Sequence, residues 1–329
     1  MSLREIVNPG VVESAGELNR QFDSATPFRH LVLDDFFDES FCQRLADQFP
    51  PFDERRAMNE NGEVGAKCVH ERLDALADSY MRTDRLIQSP EFLGWLSKVS
   101  GIDELLYDPD YVGGGTHENR HGQELDPHVD FNRHPRFGWH RRLNLIVYLN
   151  REWRDEWGGA IEFHTDPRLP REQNHVTRVE PLFNRAVLFE TTDWSWHGFS
   201  QILLPDADDD QRSRKSIALY FYSRQRPEAE RGRPHSTIYV ERPLPEHIQP
   251  GVTLSESDHR EIVRLLARRD QHLQRLYDNI AELGQRIEDV QQRMSIRGRL
   301  WWLADRMGVG GVLRRIRQRF KRFQPIDFY

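Results

Sequence analysis

The rhythm of apolar and polar positions changes twice along this chain. Up to about residue 110, helical spacing dominates. Leu31, Val32 and Leu33 form a short apolar run that reads as a strand. Beyond it Phe41, Leu45, Ala46 and Phe49 recur at steps of three and four, predicting a helix opened by Asp38-Glu39-Ser40 and closed by Pro50-Pro51. The same periodicity predicts helices over 71–86 and 91–99, the second stopped by Gly101. From 111 to 245 the texture becomes β-like. Short runs rich in β-branched and aromatic residues (128–131, 143–149, 160–163, 178–182, 186–189, 198–203 and 216–222) alternate with clusters of Gly, Pro, Asn and Asp. The stretch 150–159 reads as a loop closing in a Gly-Gly bend. About eight strands in one region fit a jelly roll or double-stranded β-helix. After 253 the helical period returns. Thr253-x-x-Glu256 and Ser255-x-x-Asp258 are capping-box candidates. They precede a heptad seam with Leu273, Ile280, Ile287 and Met294 at one core position and Leu276, Leu283 and Val290 at the other. The expected fold is therefore α+β: an N-terminal helical support region (1–110), a double-stranded β-helix core (111–250) and a C-terminal coiled coil with a basic tail (251–329).

Composition narrows the class. Only 37% of the 329 residues are hydrophobic, 30% are charged, and no apolar run is long enough to span a bilayer. The first residues, MSLREIVNPGVVES, lack the basic region and apolar stretch of a secretory signal. Cys42 and Cys68 have no metal-type spacing and make no disulfide framework. A cytoplasmic protein is the expectation. The formal charge of -7 argues against nucleic acid as a partner. That figure averages unlike parts, because 297–322 carries nine Lys/Arg against one acid, Asp305.

Candidate chemistry concentrates in the β-rich region. In His128-Val129-Asp130 an imidazole and a carboxylate share one face of a strand. His197, in Ser195-Trp196-His197-Gly198, is suited to supply a third ligand from a later strand. Two His and one carboxylate that leave the opposite positions open form the facial triad of non-haem Fe(II) oxygenases. A lone His-x-Asp is close to chance expectation, and a second copy, His164-Thr165-Asp166, precedes Pro167 and reads as a surface turn. Arg214-Lys215-Ser216 opens another apolar strand. An arginine pointing into a barrel is costly unless an anion meets it. A dicarboxylate would supply that anion, held by two parallel hydrogen bonds with Ser216 adding a third. The alternative is a salt bridge to the acidic loop 206–210, and the residues alone leave both open.

His128-x-Asp130, His197 and Arg214-x-Ser216, in this order, resemble the Fe(II)- and 2-oxoglutarate-dependent dioxygenases, and most closely their prolyl-hydroxylase-like branch. The resemblance covers about 111–223. It extends to Arg142-Leu143-Asn144-Leu145, Trp153, Gly158-Gly159-Ala160-Ile161-Glu162-Phe163 and Glu180-Pro181-Leu182. Tyr111-Val112-Gly113-Gly114-Gly115-Thr116 is similar to the family's Tyr-Pro-Gly-x-Gly-Thr stretch, with Val for Pro. The resemblance implies Fe(II) on His128, Asp130 and His197. It implies 2-oxoglutarate on the iron, with the distal carboxylate met by Arg214, Ser216 and Tyr148, and with Tyr111 as a further candidate. It also implies O2 as co-reactant, hydroxylation of an aliphatic carbon, and release of succinate and CO2. The carboxylate at position 130 disfavours halogenation. The substrate class it implies is peptidyl, prolyl-like, while the tail suits a glycan-linked one.

Several further residues have two readings. His117, Asn119, His121, Asn132, His134 and His140 suit either a polar substrate mouth or ordinary loop hydrogen bonding, and Trp194 and Trp196 suit either a substrate platform or core packing. In the tail, Val312, Leu313, Ile316, Phe320 and Phe323 share one helical face opposite basic residues, below the pair Trp301-Trp302. That pattern suits an anionic membrane surface through 297–323, and with it a peripheral place at the inner face of the membrane. It also suits docking on an acidic protein. The heptads suit a homodimer through 266–294. The alternative to an enzyme is a non-catalytic scaffold acting through coiled coil and tail.

Overall fold

A computed structural model describes residues 2–58, 64, 67–205 and 212–294. The tail 297–323 and the acidic loop 206–210 lie outside the described residues, and so do the expectations placed on them. The described residues up to Leu265 form one compact unit, and a second unit begins at Leu266.

The chain opens with two helices, α1 (Pro9–Glu13) and α2 (Ala15–Ser24), which lead into β1 (His30–Leu33). Helix α3 (Glu39–Asp47) is capped by Asp38, whose side chain accepts from the Phe41 amide at 3.1 Å, and it buries Phe41 and Leu45 as the spacing predicts. The helix expected over 71–86 is instead two pieces, a 3-10 turn (Leu73–Ala75) and α4 (Asp78–Gln88), which follow the short strand β2 (Cys68–His70). Leu73 and Leu76 have helical spacing, yet the preceding residues are drawn into an extended sheet partnership, which overrides local preference. Helix α5 (Pro90–Ser100) starts on a Ser89 cap with Pro90 in the first turn and stops where Gly101 turns left-handed (φ 69°).

The β-region then runs β3 (Leu106–Tyr107), β4 (Gly115–Asn119), β5 (Leu125–Val129), β6 (His140–Tyr148), β7 (Ile161–His164), β8 (Val176–Val179), β9 (Ala186–Glu190), β10 (Trp196–Phe199), β11 (Arg214–Ser223) and β12 (Ile238–Tyr239). All pairings are antiparallel, in two sheets. The larger has the order β1-β9-β6-β11-β4-β2, with β3 also on β11. The smaller has the order β12-β5-β10-β7-β8. This is the double-stranded β-helix arrangement expected from the strand spacing. The run expected at 198–203 is shifted: β10 spans Trp196–Phe199, so that His197 lies within the sheet.

Alternation along the strands sorts the barrel. Leu143, Leu145, Val147, Ala186, Leu188, Ile217, Leu219 and Phe221 face outward and bury against Phe22, Phe41, Phe92 and Leu96 of the helical layer. Their neighbours Tyr148, Val187 and Phe189 face inward and pack with Phe28, Ile161 and Phe163 between the sheets. Burying each such side chain contributes roughly 1.5–3 kcal/mol, so the helical layer stiffens the sheet from which several site residues project.

Helix α6 (Glu256–Met294) is 39 residues long. Leu266, Leu273, Leu276, Ile280, Leu283, Ile287 and Val290 are each more than 40% exposed along it. No helix among the described residues is long and apolar enough to cross a membrane.

Candidate active site

β5 delivers His128, the residue just after it is Asp130, and β10 delivers His197 directly opposite His128 in the ladder. The candidate donor atoms of the three lie within 4.8 Å of one another. Among the described residues this is the one group of three or more His, Cys, Asp or Glu placed to hold an ion. The imidazole Nε2 atoms of His128 and His197 stand 3.7 and 3.6 Å from the Asp130 carboxylate. Each Nδ1 faces a carbonyl two residues back: Asp126 for His128 (3.0 Å) and Ser195 for His197 (2.9 Å). A carbonyl only accepts, so Nδ1 carries the proton in both rings and Nε2 is left as a lone-pair donor. Burial holds His128 neutral, its pKa pushed down to about 3, and lowers that of His197 as well. Burial would raise Asp130, but the Arg141 guanidinium beside it, with the Asn144 hydrogen bond, outweighs this and holds the carboxyl well below the usual range. Two neutral imidazoles and one ionised carboxylate are the donor set Fe(II) requires, so the residues fit the metal.

Two residues that motif reading left without a role fix that carboxylate. Arg141, 1% exposed, meets Asp130 Oδ2 at 3.1 Å, and the Asn144 amide donates to the same oxygen at 2.7 Å. Asn144 Oδ1 in turn accepts from Arg141 Nε and Nη2. With Oδ2 occupied, Oδ1 is the oxygen left toward His128. The available signal was an arginine and an asparagine three apart, just inside a strand that otherwise reads as apolar.

Arg214 begins β11 and is buried. Its Nε donates to the Gly159 carbonyl (2.7 Å) and its Nη2 to the Tyr148 hydroxyl (3.1 Å), and the guanidinium lies over the Tyr148 and Phe199 rings. Among the described residues no carboxylate meets it. Burial accordingly lowers its pKa, which the Tyr148 contact partly offsets. Ser216, Tyr148 and His117 form one row across β11, β6 and β4. His117 is thus an interior group beside Ser216, with Nε2 on the Gly113 carbonyl, and not a residue of the mouth. Tyr111 stands apart from this row. Its hydroxyl donates to Asp84 of α4 at 2.7 Å and its ring belongs to the core against the helical layer, so the geometry does not direct it toward Arg214.

The Gly-Gly bend shapes the Arg214 pocket. Gly158 has φ 64° and ψ -153°, a combination open essentially to glycine, and a Cβ there would run into the Gln201 carbonyl. Gly158→Ala is therefore expected to destabilise the fold by about 3 kcal/mol or more in urea titrations. Failure of the midpoint to move would show that the loop can relax.

The remaining candidates are engaged within the protein. Asn132 bonds the Arg233 carbonyl and the His235 amide, His134 meets Asp108 at 3.1 Å, and His140 accepts from Arg133. Burial, followed by Arg133, pushes His140 down to about 4. Asn119 contacts Gln123, and His121 accepts from the Leu204 amide. Trp196 is buried with Arg168 over its ring, whereas Trp194 is 53% exposed. The second His-x-Asp pair is divided: His164 is buried against Asn174 and Glu162, while Asp166 sits in a turn with Arg168.

Residues 114–222 match the family model described as the 2OG-Fe(II) oxygenase superfamily. The chain is 27% identical over 204 residues to a mouse protein named prolyl 3-hydroxylase OGFOD1, covering 60% of this chain and 33% of that one. It is 24% identical over 237 residues to the Xenopus laevis protein of the same name, covering 69% and 42%. The chain thus spans less than half the length of these relatives. Among solved structures, a prolyl 4-hydroxylase from Phytophthora capsici aligns with a TM-score of 0.43 at 20% identity, covering 94% of this chain and 93% of that one. HygX from Streptomyces hygroscopicus aligns with a TM-score of 0.43 at 13% identity, covering 67% and 95%.

Proposed function

Because this chain belongs to the 2OG-Fe(II) oxygenase superfamily and is prolyl-hydroxylase-like, we propose that it is a 2-oxoglutarate-dependent hydroxylase acting on an aliphatic carbon of a peptidyl substrate. The observation that carries this reading is one interior holding both a neutral-His, ionised-Asp donor set and an arginine that no described carboxylate meets. His128, Asp130 and His197 would hold the metal, while Arg214, Tyr148 and Ser216 would hold the distal carboxylate of 2-oxoglutarate. Bound Fe(II), with 2-oxoglutarate and O2, supplies the oxidising chemistry that converts C–H to C–OH and releases succinate and CO2. The protein's own contribution is orientation. Arg141 and Asn144 direct one carboxylate oxygen of Asp130, the Asp126 and Ser195 carbonyls set both imidazole tautomers, and Arg214 fixes the far end of the cosubstrate. Catalytic residues fall within 111–250, with 1–110 as support.

The names of the curated relatives favour a prolyl residue over a glycan-linked substrate. Incubation with proline-containing peptides, Fe(II), 2-oxoglutarate and ascorbate should give succinate together with a peptide heavier by one oxygen atom. Succinate without a modified peptide would argue for the glycan-linked class. Absence of both, together with cellular function that survives loss of His128 but not loss of 251–329, would leave the scaffold reading.

A second proposal concerns α6. Its exposed heptad stripe supports pairing with another copy of this chain, since an isolated amphipathic helix gains little stability from propensity alone. Light scattering should give a dimer that Ile280→Glu with Ile287→Glu converts to a monomer, and a monomeric wild-type protein would end the idea. The charge pattern of 297–323 supports contact with an anionic surface.

A further inference from the structure

The carbonyl that sets the His128 tautomer belongs to a distorted piece of strand. Between the pairs His197↔His128 and Phe199↔Leu125, β10 advances two residues while β5 advances three. The extra residue in β5 is a bulge, and bulges re-aim the side chains beside them. Gly198 passes so close that a Cβ there would meet the Leu125 and Asp126 carbonyls. Here Asp126 has two tasks: its carbonyl accepts from His128 Nδ1, and its carboxylate points to a buried acidic group outside the barrel.

That group is formed by Glu124, Asp126 and Glu162, all buried. Arg242 reaches all three. Its Nη2 donates to Glu162 at 3.0 Å, and its Nε stands 3.7 Å from Glu124 and 3.6 Å from Asp126. Arg264 of α6 adds an ion pair to Glu124, and Arg178 of β8 adds one to Glu162 at 3.3 Å. Burial would raise the Glu162 carboxyl, but His164 and Arg242 hold it down at about 2. Arg242 lies just beyond β12, whose Tyr239 pairs with His128 in the ladder and stacks on its ring at 5.2 Å and 29°. The Val240 amide donates to the Pro127 carbonyl. The strap residues Tyr239, Val240 and Arg242 lie past 222, where the family match ends.

We propose that the strap 238–242 is part of the metal site, with Arg242 a positioning residue that holds the β5 bulge from outside while Tyr239 packs on the imidazole the bulge presents. Three buried carboxylates without their shared cation would repel one another and pull Asp126 away from its place behind His128. The inference rests on the reading of His128 as a metal ligand, and it predicts metal affinity without reference to turnover.

The test is Co(II) binding to the full-length protein, followed by visible absorption, with thermal midpoints recorded for each variant. Arg242→Gln should bind Co(II) roughly 10- to 100-fold more weakly, the range typical of groups that orient a ligand. Arg242→Lys should recover part of the loss. Arg178→Gln, which removes another partner of the same acidic group on the far strand, should bind like wild type. Equal affinity in Arg242→Gln and wild type overturns the inference, and so does an equal loss in Arg178→Gln. If Arg242→Gln does not fold, Tyr239→Leu decides. Weaker Co(II) binding with an unchanged thermal midpoint supports the strap, and wild-type affinity overturns it. A wild-type protein that binds no Co(II) would instead refute the metal site itself.

Discussion

Asp130→Ala is expected to abolish turnover and the visible charge-transfer band that forms when Fe(II) and 2-oxoglutarate are added without oxygen. Removing the one anionic ligand leaves two neutral imidazoles, and a metal centre's contribution of several kcal/mol corresponds to a rate loss of ~10³-fold or more. The same substitution has a structural cost. Arg141 is 1% exposed and meets Asp130 at 3.1 Å, so alanine leaves a buried guanidinium without its counter-charge. Breaking a buried pair from one side typically costs about 3–5 kcal/mol. The two effects separate in the double variant Asp130→Ala with Arg141→Met. Urea titration should show stability largely recovered, because both charges are gone, while the charge-transfer band stays absent. A band that persists in Asp130→Ala would refute the ligand assignment.

Arg214→Met is expected to raise the KM for 2-oxoglutarate by roughly 10²-fold, from the loss of about 3 kcal/mol in a buried charge contact. The thermal behaviour should run the other way. Arg214 is buried with hydrogen bonds to Gly159 and Tyr148 and no described carboxylate, so removing its charge relieves desolvation in the unliganded protein. The variant without ligand should be no less stable than wild type. Ligand at one hundred times the wild-type dissociation constant should stabilise wild type by ~2.7 kcal/mol. At the same concentration, a variant binding one hundredfold more weakly gains only about 0.4 kcal/mol. Calorimetry of both proteins, with and without 2-oxoglutarate in the presence of Fe(II) under anaerobic conditions, tests the pair of predictions. An unaltered KM would assign Arg214 to the fold instead of the cosubstrate.

The two assignments differ in how far they could be read from local sequence. His128 and Asp130 are two residues apart, and the period of a strand places such neighbours on one side whatever the rest of the chain does. Arg214 announced itself as a cation at the start of an apolar strand, and burial with no described carboxylate partner agrees with that reading. The competing salt bridge to 206–210 lies outside the described residues. Tyr111 shows the limit of motif reading. It stands where the motif suggests, but its backbone is left-handed (φ 51°) and its hydroxyl goes to Asp84 of α4, a helix that begins at Asp78 and not at 71. The difference at 71–86 is likewise non-local: Leu73 and Leu76 keep helical spacing while β2, just before them, is drawn onto β4.

Residue types and short periods along the chain were enough for the α+β class, the β-rich core and the same-face pair His128 and Asp130, because each depends on neighbours within a few positions, whereas His197 and Arg214 joined that pair only through the ordered motifs that resemble the dioxygenases. Closure of the two sheets decided the rest. It sets Arg141 and Asn144 on one oxygen of Asp130, His117 beside Ser216, and Arg242 against Glu162, 80 residues away in sequence. Such contacts follow from strand order and register, and no local pattern encodes which distant strand will lie alongside. Only the folded barrel brings a strap beyond the matched core against the ring of His128.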